Sequence, residues 1–307
     1  MKFSKTLSQI YRGKWFIRPD DALSLLQDEN IRNLINGKLA GSDSDESLFD
    51  RKPLPVMIVG TAGYQAQFMD SFDQAPKGSI AIIGIKGTMM KYGTMCSYGC
   101  EEIADQISQA ANHKNISSIV LDIDSGGGAV DAVAPLVKSI SESGKPVVAS
   151  ADLCCSAAYW TASECDWIVA NNSISAEFGS IGVMMSFWDI KGFYEEIGYK
   201  FHEIYAPESQ NKNEAFRLAL EGKYDMIKTE ELSPLAQKFQ ATIKKNREGK
   251  LKLDAKGILN GKTFFVEESL DFGLIDEIGS VDTAIVKARE LAEKKSRKAL
   301  IEEYVKQ

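Results

Sequence analysis

Between residues 79 and 188, short apolar runs rich in β-branched residues alternate with stretches of helical spacing. This alternation restricts the chain more than any other feature. "SIAIIGIKGTM" (79–89) is continuous enough in isoleucine to be a strand buried on both faces. Cys100–Asn112 follows with helical spacing, placing Ile103, Ile107 and Ala110–Ala111 on one side. "SSIVLDI" (117–123) predicts a strand, and "GGGAV" a turn into a helix over Ala129–Ser143. "KPVVASA" (145–151) predicts another strand, feeding a helix that starts near Cys155. "WIVA" (167–170) and "SIGVMMSFW" (180–188) are strand-like, and Lys200–Tyr205 reads as a strand after a short helix. The pattern predicts an α/β fold, with largely parallel strands covered by helices.

The flanks read differently. Residues 1–36 predict one or two short helices, with Trp15, Phe16 and the run 22–26 as apolar positions. "NGKLAGSDSDESLFDRKPLP" (36–55) is polar, acidic and Gly/Ser/Pro-bearing, which marks a linker, and Val56–Val59 predicts a first strand. Beyond residue 213 the spacing turns helical, at 214–220 and 223–247. Residues 262–279 predict a short strand, a helix and a Gly-terminated return, and 281–305 one charged amphipathic helix. The expected organisation is an extension with a linker at 1–55, a main domain at 56–282 and a C-terminal helix at 283–307.

A chain of 307 residues can hold one large domain, or one domain with an appendage. Its net charge of −7 argues against nucleic-acid binding, which needs a clustered Lys/Arg excess. No stretch approaches the roughly 20 apolar residues that span a bilayer. The N-terminus starts basic but lacks a continuous apolar core and a small-residue cleavage site, so neither a signal peptide nor an anchor is expected. The five cysteines are odd in number and clumped, which points to a reducing, cytoplasmic setting.

Chemistry can sit in two places. In "LDIDSGGGAV", Gly126, Gly127 and Gly128 lie between a strand end and a helix start, where bare backbone N–H groups can face an oxygen. That is what an oxyanion hole needs, although a plain tight turn has the same composition. In "ADLCCSAAYWTAS" (151–163), Ser156 follows the next strand, where its hydroxyl would face the same sheet mouth. It is either a nucleophile or an N-cap. Cys154, Cys155 and Cys165 read as small buried hydrophobes, and Cys96 and Cys100 lack the second pair that a zinc set needs, so no metal site is expected. Only two histidines exist, His113 and His202, and neither sits in a context that favours a Ser-His-Asp triad. The other base available to a serine is a desolvated lysine. "IYAPESQNKNEAF" (204–216), a polar loop, carries Lys212.

Taken together, the stretches "IAIIGIKGTM", "IDSGGGAV", "KPVVASADLCCSAAYWTAS", "FGSIGVMM" and "GKTFFVEESLDFGLIDEIGS" resemble, in order, the signal peptide peptidase A-type serine peptidases. The resemblance is closest to the phage prohead (capsid maturation) proteases, and it covers about residues 78–282. It implies a crotonase/Clp-protease-like fold of spiral ββα units, here with helical N- and C-terminal extensions. It implies a Ser/Lys dyad: Ser156 as nucleophile, Lys212 as base, Gly127 and Gly128 as oxyanion donors, and Ser180 as a serine that orients the lysine. No cofactor is implied. The partners implied are a protein or peptide substrate, capsid or scaffold proteins among them, and further copies of the chain around an active site near the subunit interface. Departures from the family pattern fall at Gly126 in the turn, at Ala157-Ala158 after the serine, and around Lys212, for which Lys200 and Lys223 are the alternatives. A membrane-associated peptidase, a crotonase-type acyl-CoA enzyme and an inactive assembly protein are the competing readings.

Overall fold

The computed structural model describes residues 14–17, 54–61, 65–93, 97–187, 189, 191–200 and 202–305. The expectations for 1–13 and 18–53, which include most of the acidic linker, lie outside the described residues, as does Cys96. The chain runs through β1 (Lys14–Ile17), β2 (Val56–Val59), β3 (Ala66–Met69), β4 (Ser79–Lys86), α1 (Cys100–Asn112), β5 (Ile116–Ser125) and β6 (Gly127–Ala129). It continues with α2 (Val133–Ser141), β7 (Val147–Cys155), α3 (Ala157–Ser163), β8 (Trp167–Ala170), β9 (Glu177–Gly179) and β10 (Met184–Met185). The last third holds α4 (Lys191–Glu196), α5 (Glu214–Leu220), α6 (Ser233–Asn246), β11 (Thr263–Phe265), α7 (Val266–Asp271), β12 (Glu277–Ile278) and α8 (Val281–Val305).

The main sheet runs β11-β9-β7-β5-β4-β2-β3, with β8 branching from β7 and β12 pairing with β8. Its centre is parallel: β4 with β5, β5 with β7, and β7 with both β8 and β9. The expected α/β build with a largely parallel centre is present, with β5, β6 and α2 forming one strand–strand–helix unit. Both faces of the sheet are covered. Ala81, Ile83, Ile85, Ile119, Leu121 and Ala149 join the core under the helices that include α1 and α2. Ile80, Ile82, Val120, Val148 and Val169 point the other way, onto Ala284, Ile285 and Ala288 of α8. The period-2 alternation of side chains explains why a continuous Ile run serves two layers. Each buried Ile, Leu or Val among them contributes roughly 1.5–3 kcal/mol. The segment expected as a C-terminal extension therefore closes the second face of the sheet.

Three expectations need correction. Lys14–Ile17 is a strand rather than helix, paired on both sides; aromatic and β-branched residues favour that state where an edge is open. The described residues 180–187 are not one strand: the chain turns at Ser180 with φ 51°, and pairing with β1 is confined to Met184–Met185. Lys200–Tyr205 forms no strand over its described residues, and Ile204 is 93% exposed. The 223–247 helix contains a π-helical stretch at Ile227–Leu232 before α6. Among the described residues no helix is long and apolar enough to cross a membrane.

A buried ion pair fastens the α6 end to the sheet. Arg247 donates to both carboxylate oxygens of Asp276, at 2.8 and 3.0 Å, and to Gly273 O. The two side chains are 2% and 3% exposed. Burial opposes ionisation of Asp276, but hydrogen bonds from Arg247 and Lys250 outweigh it and hold the carboxyl below its usual range. A carboxyl whose folded pKa is lowered stabilises at pH values above its unfolded pKa. It loses that contribution as pH falls through the folded value, so the clip is at full strength near neutrality and fails in strong acid. Arg247→Ala would leave a buried carboxylate without its principal partner. The expected loss is about 3–5 kcal/mol, read from urea unfolding at neutral pH, and shrinking below about pH 4.

Candidate active site

Strand β7 does not end where the sequence spacing places it. It continues through the cysteine pair to Cys155, because its last residues find a second partner: Val148–Ala151 pair with β8, and Leu153–Cys155 pair with β9. The chain then reverses into α3 at a single residue, Ser156, with φ 56° and ψ −117°. That conformation lies outside the ordinary basins for an L-residue and is held from both sides. The Ser156 N–H donates to Gly179 O at 2.8 Å, and its C=O accepts from Trp160 N–H at 2.9 Å. Ser156 is 1% exposed, and its side chain makes no capping bond to the helix. An N-cap serine would make that bond. The residue is thus a strained strand-to-helix elbow carrying a hydroxyl, the arrangement that presents a nucleophile at a sheet end.

The helix behind the elbow is held firmly. Trp160 stacks on Phe239 of α6 with ring centroids 4.6 Å apart. The Tyr159 hydroxyl donates to Leu274 O at 2.9 Å, three residues after α7. The neighbouring thiols are packing. Cys154, Cys155 and Cys165 are buried, and burial pushes Cys154 and Cys165 well above their usual range, away from a reactive thiolate. Cys100 is pushed up to about 12 for the same reason.

The glycine turn lies one strand over. Ser125, at the end of β5, pairs with Cys154 of β7. The turn is not a bare loop but the short strand β6, braced by the continuation of β4: Met89 N–H donates to Gly127 O and Ala129 N–H to Met89 O, each at 2.9 Å. Gly127 has φ 106°, and its N–H donates to Ser125 Oγ at 3.1 Å. Gly128 passes so close to Met89 that a Cβ there would lie 1.9 Å from the Met89 carbonyl oxygen. Only glycine fits.

Ser180 joins Ser156 through one peptide unit, since Gly179 O receives the Ser156 N–H. Ser180 is buried, has φ 51°, and donates its N–H to Lys262 O at 2.8 Å. Lys212 stands apart. It sits in the exposed turn between Pro207–Ser209 and α5, with its N–H on Ser209 O at 3.1 Å, and no hydrogen bond or ion pair joins it to Ser156. Phe216 of α5 packs on Phe187, two residues after β10, with centroids 5.1 Å apart, which keeps this loop on the β10 side. Lys200 is exposed, and Lys223 is exposed and paired with Glu221 at 2.8 Å. His113 contacts Asp73 and His202 is exposed. Among the described residues no cluster of three or more His, Cys, Asp or Glu forms a metal site. The sequence carries no signal for the strand character of β6 or for the bracing by Met89.

The class is set by this build: a two-sided α/β sheet with a buried serine elbow beside a glycine strand. The pattern of peptidase family S49 matches residues 139–295, half of the chain, and takes in Ser156, Ser180 and Lys212. The chain belongs to peptidase family S49. It is 25% identical over 227 residues to protease 4 of Haemophilus influenzae, covering 72% of this chain and 36% of that protein. It is 27% identical over 234 residues to protease 4 of Salmonella typhi, covering 71% and 35%. The chain therefore spans about a third of the length of these curated relatives. Among solved structures, the 1510-N membrane-bound stomatin-specific protease aligns at 18% identity and a TM-score of 0.45, over 69% of this chain and 80% of that one. An enoyl-CoA hydratase of Mycobacterium ulcerans aligns at 18% identity and a TM-score of 0.41, over 69% and 81%.

Proposed function

We propose that the chain is a serine endopeptidase working through a Ser/Lys dyad. The observation that carries the reading is the conformation of Ser156: buried, strained, without a capping bond, and one strand from a glycine that cannot bear a side chain. In the proposed reaction, Ser156 Oγ bonds to the carbonyl carbon of an extended peptide and passes its proton to a neutral lysine amine. The carbonyl electrons move to oxygen, which Gly128 N–H and the first amide of α3, that of Ala157, receive. Gly127 shapes the turn, its own amide being bonded to Ser125 Oγ. Collapse breaks the C–N bond, and the leaving amine takes the proton from the lysine. Water, deprotonated by the same lysine, then attacks the acyl-enzyme and returns Ser156.

Lys212 fills the role of base in this reading, with Ser180 orienting it. A lysine becomes a base for a serine when it is desolvated, and Lys212 is exposed on the single chain. A second copy of the chain supplies the cover. Phe193, Tyr199, Ile204, Phe216 and Tyr224, which flank Lys212 in sequence, are large and exposed, a composition that suits an interface. Lys212→Ala is expected to lower kcat by roughly 10²–10⁴-fold with little change in KM, and to remove the acid limb of the pH–rate profile. Lys200→Ala and Lys223→Ala are expected to stay near wild type. Activity per chain should rise with protein concentration as copies associate. If either of the other two lysines gave the loss instead, the base would be reassigned. The resemblance to prohead proteases supports capsid or scaffold proteins as substrates. Co-production with such a protein is expected to yield cleavage with wild type and none with Ser156→Ala.

A further inference from the structure

Strand β1 is the middle of a separate three-stranded sheet, β10-β1-β6. It is antiparallel to both neighbours, with Lys14 opposite Met185 and Trp15 opposite Met184 on one side. On the other side Trp15, Phe16 and Ile17 face Ala129, Gly128 and Gly127. Strands β6 and β10 therefore run parallel to one another across a gap two strand spacings wide, about 9.6 Å, which one extended chain fills. These flanking strands have only three and two residues, and each is attached to a residue of the site. β6 is the glycine strand beside the Ser156 elbow, and β10 begins four residues after Ser180. With the middle strand absent, the facing edges would be rows of open donors and acceptors, the usual landing place for an extended peptide.

The register makes the overlap specific. Gly127 O and Ala129 N–H are both taken by Met89. Alternation along the strand turns the polar groups of Gly128, between them, toward Phe16 on the opposite side. The amide assigned above to the developing oxyanion is thus the one that β1 engages. We propose that residues 14–17 are a built-in occupant of the peptide slot: the chain's own segment lies where a substrate strand must lie, and holds Gly128 engaged until it is displaced. This inference rests on the peptidase reading of Ser156. A tethered strand has a high local concentration, so displacement selects for peptides that pair well with both edges.

The test uses the full chain and its Phe16→Pro variant, which lacks the N–H that pairs with Gly128. Hydrogen exchange by mass spectrometry on wild type is expected to show residues 14–17 protected. After reaction with a peptidyl fluorophosphonate, protection should be lost at 14–17 and kept at 127–129. Labelling of Ser156 by a simple fluorophosphonate is expected to be about tenfold faster in Phe16→Pro, corresponding to loss of roughly one strand-pairing bond. A synthetic peptide of residues 11–20 should slow the variant again. Unprotected amides at 14–17 in wild type, protection unchanged by the peptidyl reagent, or equal labelling rates with Ser156 reactive in both proteins would overturn the inference and leave the peptidase reading standing. No labelling in either protein would overturn both. The wild-type exchange arm decides the matter even if the proline variant does not fold.

Discussion

Ser156→Ala is expected to abolish peptide hydrolysis, by roughly 10³-fold or more, while leaving stability within about 0.5 kcal/mol of wild type. The two halves of this result come from the same geometry. The hydroxyl makes no capping bond to α3, so its removal orphans no helix amide. The positive φ of residue 156 is fixed by backbone bonds to Gly179 and Trp160, which alanine keeps. A serine present only as a helix cap would give the opposite pattern, a cost of about 1 kcal/mol and no chemical phenotype. The outcome also separates the competing class. A crotonase-type acyl-CoA enzyme needs the glycine amides but not this hydroxyl, so its turnover would survive the substitution. Peptide hydrolysis measured beside urea unfolding reads both quantities.

Gly128→Ala carries the second large effect. The added methyl would lie 1.9 Å from the Met89 carbonyl oxygen and 2.5 Å from its carbon. Both contacts are backbone, so no side chain can rotate away, and either β6 or the segment after β4 must move by more than an ångström. Overpacking of this kind costs about 1–3 kcal/mol. Displacing an oxyanion donor by that distance is expected to cost about 10²-fold or more in kcat. The loss should appear in kcat with KM less affected, because the donor meets charge that develops only in the transition state. Gly144→Ala is a fair control for glycine substitution. It has φ 63° and open space around its Cβ position, so it meets backbone strain without a clash. A Gly128→Ala protein with wild-type kcat would remove this amide from the mechanism.

Much of the framework could be read from local pattern, because local pattern reports burial. The helices Cys100–Asn112 and 281–305, and the buried strands around Ile80–Ile85 and Ile119–Leu121, follow from apolar spacing alone. Ser156 stood out by position, between a strand and a helix. Three features were hidden because they depend on distant partners. Lys14–Ile17 becomes a strand only because β6 and β10 offer edges more than 100 residues away. β7 extends to Cys155 because β9 returns beside it. The glycine turn becomes a strand because Met89 braces it. The lysine was the least legible part, since what qualifies a lysine as a base is desolvation, and Lys212 lies exposed on the single chain.

The most direct measurement is intact-mass and peptide mapping after incubation with a fluorophosphonate, on wild type, Ser156→Ala and Lys212→Ala at concentrations spanning self-association. A single adduct on Ser156 in wild type, absent from Ser156→Ala and strongly slowed in Lys212→Ala, is the predicted result. An adduct on another residue, or no adduct in the associated wild-type protein, would contradict the assignment of Ser156 as the nucleophile.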